Sequence, residues 1–221
     1  MSTALETVEV QTGPDPAATV IWLHGLGADG HDFEPIVPHL RRAGEPALRF
    51  VFPHAPPRPV TLNNGYTMRA WYDIIGIDRH SRQDEAGIRD SAAALAALLE
   101  RENKRGSATH RIVLAGFSQG GAIALYTGTR LAARLAGIMA LSSYMVLAST
   151  FDAERTPQSL STPIFLAHGS ADMMVDPQLG EESRRRLDGA GYAVEWHTYP
   201  MGHEVCPEEI AAIADWLRRV L

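Results

Sequence analysis

The 221-residue sequence predicts an α/β architecture, a mostly parallel sheet flanked by helices, and three observations carry that prediction. Short apolar or β-branched runs alternate with longer amphipathic stretches. Several of those runs are continuously apolar, as strands buried on both faces are. One run passes through a Gly-rich turn into an Ala-rich stretch with almost no connection between them.

Each element can be justified in order. Leu5 to Val10 alternates weakly, whereas Ala18 to Leu23 and Leu48 to Phe52 read as strands, and Pro53 to Pro59 is a loop leaving the second of them. Glu85 to Arg101 places Ile88, Ala92, Leu95 and Leu99 at helical spacing behind the candidate caps Ser81 and Asp84. Arg111 to Ala115 is a strand, and Gln119 to Leu135 reads as a helix packed on the sheet. Ala136 to Leu141, Pro163 to Ala167 and Ala193 to Tyr199 complete the strands. The last helix begins at Pro207, has Glu208 and Glu209 in its first turn and Arg218 and Arg219 in its last, and turns Ile210, Ile213, Trp216, Leu217 and Val220 to one face. Only about twenty residues, Ser142 to Thr162, separate two strands, which leaves no room for a large cap. No repeat or linker divides the chain, so one domain over residues 1–221 is expected.

Composition narrows the function. A hydrophobic share of 45% and a charged share of 21% are ordinary for a folded protein. The net charge of −6, with no basic run longer than Arg184-Arg185-Arg186, lacks the footprint of a nucleic-acid binder. Met1 to Glu6 has neither a basic nor an apolar leader segment, and no long apolar stretch predicts stable membrane insertion. The one cysteine, Cys206, has no partner for an internal disulfide, and the expected location is cytoplasmic.

The chemistry is concentrated in Gly116-Phe117-Ser118-Gln119-Gly120-Gly121, which lies between a strand and a helix and matches G-x-S-x-G in the setting that motif requires. Side chains two residues to either side of the serine would collide across so sharp a turn, hence Gly116 and Gly120. This motif predicts an α/β-hydrolase fold with Ser118 as nucleophile. A phosphate-binding loop is set aside because no Gly-Lys-Ser/Thr follows.

A serine hydroxyl needs a base within reach and an acid to orient that base. In this fold the acid and then the histidine follow the serine, which leaves His168, His197 and His203. His197 is inside a strand and His168 precedes both nearby aspartates, so His203, in the loop Pro200 to Glu204, is the expected base. Asp172 and Asp176 compete for the acid; Asp172 is nearer the strand end, and Asp176 before Pro177 reads as a helix start. Oxyanion donors are expected from Gln119, the residue after the nucleophile, and from Leu26 in His24-Gly25-Leu26-Gly27-Ala28-Asp29-Gly30. No spacing of Cys and His suggests a metal, and no cofactor is expected, since hydrolysis needs only water.

Taken together, Leu23 to Gly27, Pro53 to Pro56 with Arg58 to Thr61, Trp71-Tyr72-Asp73-Ile74-Ile75-Gly76, the Ser118 motif, and His168-Gly169 followed by Asp172 make the chain resemble the phospholipase/carboxylesterase family over nearly its whole length. The resemblance implies a Ser118–Asp172–His203 triad, deciding for Asp172, with Leu26 and Gln119 forming the oxyanion hole. It also implies that Leu62, Met68 and Trp71 border the acyl groove, and that a homodimer is an available state. Met201-Gly202-His203-Glu204 departs from the eukaryotic acyl-protein thioesterases, so the expectation places the chain with the bacterial carboxylesterases. The expected substrates are short- to medium-chain esters or lipid-like esters in an open groove, with thioesterase or lysophospholipase activity as the alternative.

Overall fold

The computed structural model describes residues 5–41, 44–76 and 81–221, so Met1 to Ala4 of the N-terminal segment read above lie outside it. A seven-stranded sheet runs in the order β1 (Thr7–Gln11), β3 (Leu48–Pro53), β2 (Ala18–Leu23), β6 (Ile112–Phe117), β7 (Gly137–Leu141), β8 (Ile164–Gly169) and β9 (Val194–Tyr199). Only β1 is antiparallel to its neighbour. Every residue of β2, β3, β7 and β8 is buried, which is why these strands read as continuous apolar runs instead of alternating.

The strands alternate their side chains between two cores. Ile21, Leu23, Leu114, Ile138 and Ile164 pack on one face with α1 (Glu85–Lys104) and α2 (Gln119–Gly128). Val20, Trp22, Val113, Met139 and Phe165 pack on the other with the 3₁₀ segment Glu34–Leu40 and the last helix, α5 (Pro207–Val220). The period-two pleat splits each strand this way. No helix among the described residues is long and apolar enough to cross a membrane.

Three expectations need correction. The helix after the motif ends at Gly128, where Leu135 was expected. Thr129 Oγ1 donates to Leu125 O at 2.8 Å and closes the helix. A helix continued to Leu135 would span about 25 Å and overshoot the six-residue strand it covers, which spans about 20 Å. A hairpin of β4 (Pro57–Val60) and β5 (Tyr66–Arg69) grows where only a loop was read. The helix α4 (Pro177–Gly189) was seen only at its start, and Asp176 caps it by accepting from Gln178 N at 2.9 Å. Of the two candidate caps before α1, Asp84 serves, accepting from Gly87 N at 3.0 Å.

The connection from Ser142 to Thr162 holds two 3₁₀ turns and the short helix α3 (Phe151–Glu154), with no large cap. The sheet register then sets the chemistry. Gly116 pairs with Leu23, Phe117 with Leu141, Leu141 with Ala167 and Gly169 with Tyr199, so β2, β6, β7, β8 and β9 all end along one edge. Loops leaving that edge converge.

Candidate active site

Ser118 sits between β6 and α2 at φ 53°, ψ −120°, a backbone region that L-residues seldom occupy. Its neighbours hold it there. Ser118 N donates to Leu141 O at 2.9 Å, and Ser118 O accepts from Ser143 Oγ at 2.7 Å and Ala122 N at 3.1 Å. A β-carbon on Gly116 would overlap the backbone of Gly120, and one on Gly120 would overlap the carbonyls of Leu23 and His24. The turn therefore brings the elbow against the loop that follows β2, and Ser118 is left half-buried at the sheet edge.

That second loop is clamped from below. His24 is buried; its Nε2 accepts from Ala55 N at 3.0 Å, which leaves the proton on Nδ1, donated to Gly25 O at 2.7 Å. Burial lowers its pKa to about 4, so the ring is neutral at pH 7. Trp71 Nε1 donates to His24 O at 2.9 Å, and Gly27 N donates to Arg69 O at 2.9 Å. The Gln119 side chain accepts from Trp71 N at 3.0 Å and donates to Tyr72 O at 2.8 Å. Leu26 and Gln119, the two expected oxyanion donors, thus belong to loops tied to one another through Trp71.

Asp172 and His203 meet across the ends of β8 and β9. His203 Nδ1 donates to Asp172 Oδ2 at 2.7 Å, while Asp172 Oδ1 accepts from Met174 N at 2.8 Å and Val175 N at 2.9 Å. Burial pushes the Asp172 carboxyl up, but the Val175 N–H, the His203 ring and the Met174 N–H outweigh it and hold its pKa below the ordinary carboxylate value. The two loops fit so closely that a β-carbon on Gly169 would overlap Met201 O and Gly202 O. The His203 ring lies 4.7 Å from that of Phe117, the residue before Ser118.

The other candidates have separate places. His168 is buried in β8, with Nε2 donating to Val175 O at 3.0 Å and lying 3.4 Å from Asp172 Oδ2; burial lowers its pKa. His197 bonds Glu195 within β9 at 3.0 Å. Asp176 is the α4 cap. Among the described residues no group of three or more His, Cys, Asp or Glu could hold a metal ion.

A cavity of about 730 Å³ opens beside Ser118, lined between the loop after Tyr72 and the segment Asp172 to Leu179. That volume lies within the usual range for small-molecule sites. Leu62, Met68 and Trp71, expected from resemblance to border an acyl groove, lie outside the lining of this cavity. Trp71 is fully buried beneath the His24 loop, Leu62 projects to solvent, and the Met68 sulfur accepts from Asn63 Nδ2 at 3.4 Å. The wall is made by Ile74, Ile75, Met145, Met174, Val175 and Leu179. Ile74 and Ile75 belong to the Trp71 to Gly76 segment that carries the resemblance, whereas the others come from separate parts of the chain that no single motif marks.

Comparison with known proteins gives the family. The model of the Phospholipase/Carboxylesterase family matches residues 5–221. Acyl-protein thioesterase 1 of Neurospora crassa is 45% identical over 210 residues, covering 90% of this chain and 85% of that protein. The crystal structure of Arabidopsis thaliana SOBER1 superposes with a TM-score of 0.87 at 30% identity, over 92% of this chain and 98% of that one. Zea mays acyl-protein thioesterase 2 gives a TM-score of 0.83 at 28% identity, over 97% and 98%. With the elbow, the paired loops and a family match running from residue 5 to the last residue, this chain belongs to the phospholipase/carboxylesterase family of α/β hydrolases.

Proposed function

We propose that this chain is a serine hydrolase that cleaves acyl thioesters, with oxyester cleavage at the same site. One observation carries the reading: Ser118 stands in a strained elbow at the sheet edge where the hydrogen-bonded Asp172–His203 pair also ends. The sequence alone favoured a carboxylesterase, with thioesterase as the alternative. The fungal relative, 45% identical and called an acyl-protein thioesterase, supports the alternative more strongly.

In the proposed mechanism, Ser118 Oγ attacks the acyl carbonyl carbon while His203 Nε2 takes the hydroxyl proton. Asp172, kept ionised by its donors, holds the proton on His203 Nδ1 and stabilises the imidazolium. Backbone N–H groups of Leu26 and Gln119 receive the oxyanion. Collapse of the tetrahedral species breaks the carbon–sulfur or carbon–oxygen bond, and the leaving group takes the proton from His203. Water, deprotonated by His203, then attacks the acyl-enzyme; its collapse frees the carboxylic acid and returns the proton to Ser118. The 730 Å³ cavity supports longer acyl chains than the open groove expected from sequence.

The test is kcat/KM for octanoyl and palmitoyl thioesters beside matched oxyesters. The wild type turns over both classes, and Ser118→Ala loses at least about 10³-fold. Equal turnover by wild type and Ser118→Ala would overturn the assignment.

A further inference from the structure

The cavity is lined by aliphatic residues together with charged and polar ones such as Asp73, Gln83 and Arg186, and two tyrosines stand side by side in its wall. Tyr72, after β5, and Tyr144, after β7, both line it, and their hydroxyl oxygens are 3.4 Å apart. Both are held in register with the nucleophile. Gln119 Nε2 donates to Tyr72 O at 2.8 Å, and Ser143 Oγ, one residue before Tyr144, donates to Ser118 O at 2.7 Å. The polar spot therefore keeps a fixed place relative to Ser118.

Each phenol has one proton and can also accept. A separation of 3.4 Å is longer than the usual O–H···O distance of about 2.7–2.8 Å, so the bond between them is weak. Sharing that bond leaves the pair one further proton to donate, and lone pairs to accept with. Burial raises both pKa values, that of Tyr72 well above the ordinary phenol, so both remain neutral donors. An oxygen that reached both hydroxyls would accept from one and donate to the other.

We infer that the Tyr72–Tyr144 pair is a subsite for an oxygen on the acyl chain, so that the enzyme takes hydroxyacyl thioesters and esters as well as plain fatty acyl ones. The inference rests on the reading of Ser118 as nucleophile. Against the aliphatic part of the wall, Ile74, Ile75, Met145 and Leu179, a chain hydroxyl would lose its water without replacement, a penalty of about 5- to 150-fold in kcat/KM. The tyrosine pair removes that penalty.

The experiment compares N-acetylcysteamine thioesters of octanoate, 3-hydroxyoctanoate and 8-hydroxyoctanoate on wild type, Tyr72→Phe, Tyr144→Phe and the double variant. Wild type is expected to turn over at least one hydroxylated thioester within about threefold of the octanoyl thioester, or faster. In the double variant the hydroxylated-to-plain ratio falls about tenfold, with the single variants between. Thermal unfolding reports whether each variant keeps its fold, and the wild-type ratio needs no variant. Discrimination by wild type against both hydroxylated substrates by tenfold or more, or a ratio unmoved in a folded double variant, would overturn the inference alone. Absence of octanoyl turnover by wild type would remove the Ser118 reading and this inference together.

Discussion

Ser118 combines two demands that conflict in an ordinary residue: a side chain at the cavity wall and a backbone at φ 53°, ψ −120°. Only glycine adopts that region without cost. Ser118→Gly is therefore expected to be more stable than Ser118→Ala by about 1 kcal/mol, although both lack the hydroxyl. Urea midpoints for the two variants measure this, and equal midpoints would mean that the turn stores no strain at Ser118. The residue-level chemistry was the most legible part of the sequence. A motif and a chain order point to Ser118 and His203, resemblance selects Asp172 over Asp176, and the structure joins Asp172 and His203 in one hydrogen bond. Leu62, Met68 and Trp71 were read as groove residues from resemblance alone, since a side chain's direction depends on packing: Trp71 turns its indole N–H inward to His24 O.

At the scale of elements, the elbow and the loop after β2 behave as one piece. Gly120 touches the Leu23 and His24 carbonyls so closely that Gly120→Ala must part β6–α2 from that loop. We expect this variant to lose about 1–3 kcal/mol of stability, read as a lower urea midpoint, with a disproportionate fall in kcat. A midpoint equal to wild type would refute the close fit. The buried strands were legible because continuous apolar runs admit few other readings. The β4–β5 hairpin was hidden by its two prolines, Pro57 and Pro59, which argue against strand yet are tolerated in an isolated two-stranded edge. The end of α2 was hidden because sheet geometry, not helix propensity, stops it.

At the scale of the whole molecule, two buried titratable groups set opposite limits on stability. His24 has its pKa lowered from 6.5 to about 4, so between those values the unfolded chain binds a proton that the folded chain does not. Its contribution is complete above pH 6.5 and is lost as the pH falls toward 4, roughly 3 kcal/mol in all. Glu209, fully buried in α5, has its pKa raised by burial from 4.5 to about 8, with the Cys206 backbone N–H partly opposing. Here the folded chain holds the extra proton, so stability declines as pH rises from 4.5 through 8. Glu209→Gln is therefore expected to gain stability relative to wild type at alkaline pH more than at acid pH, and His24→Asn to flatten the acid limb. Urea midpoints across the pH range test both. Parallel curves for Glu209→Gln and wild type would show that Glu209 does not titrate in this window.

The course of α5 has a practical meaning for handling this enzyme. The helix leaves the catalytic edge just after His203 and runs back along the sheet for about 20 Å, so that Trp216 packs on Gly137 at the start of β7 and Arg218 reaches Glu45 ahead of β3. Leu221 thus lies at the edge opposite Ser118, whereas Glu6 accepts from His54 N on the catalytic side. A molecule tethered to a bead or a sensor chip through its last residue would face its substrates, and one tethered through its first described residues would face the support.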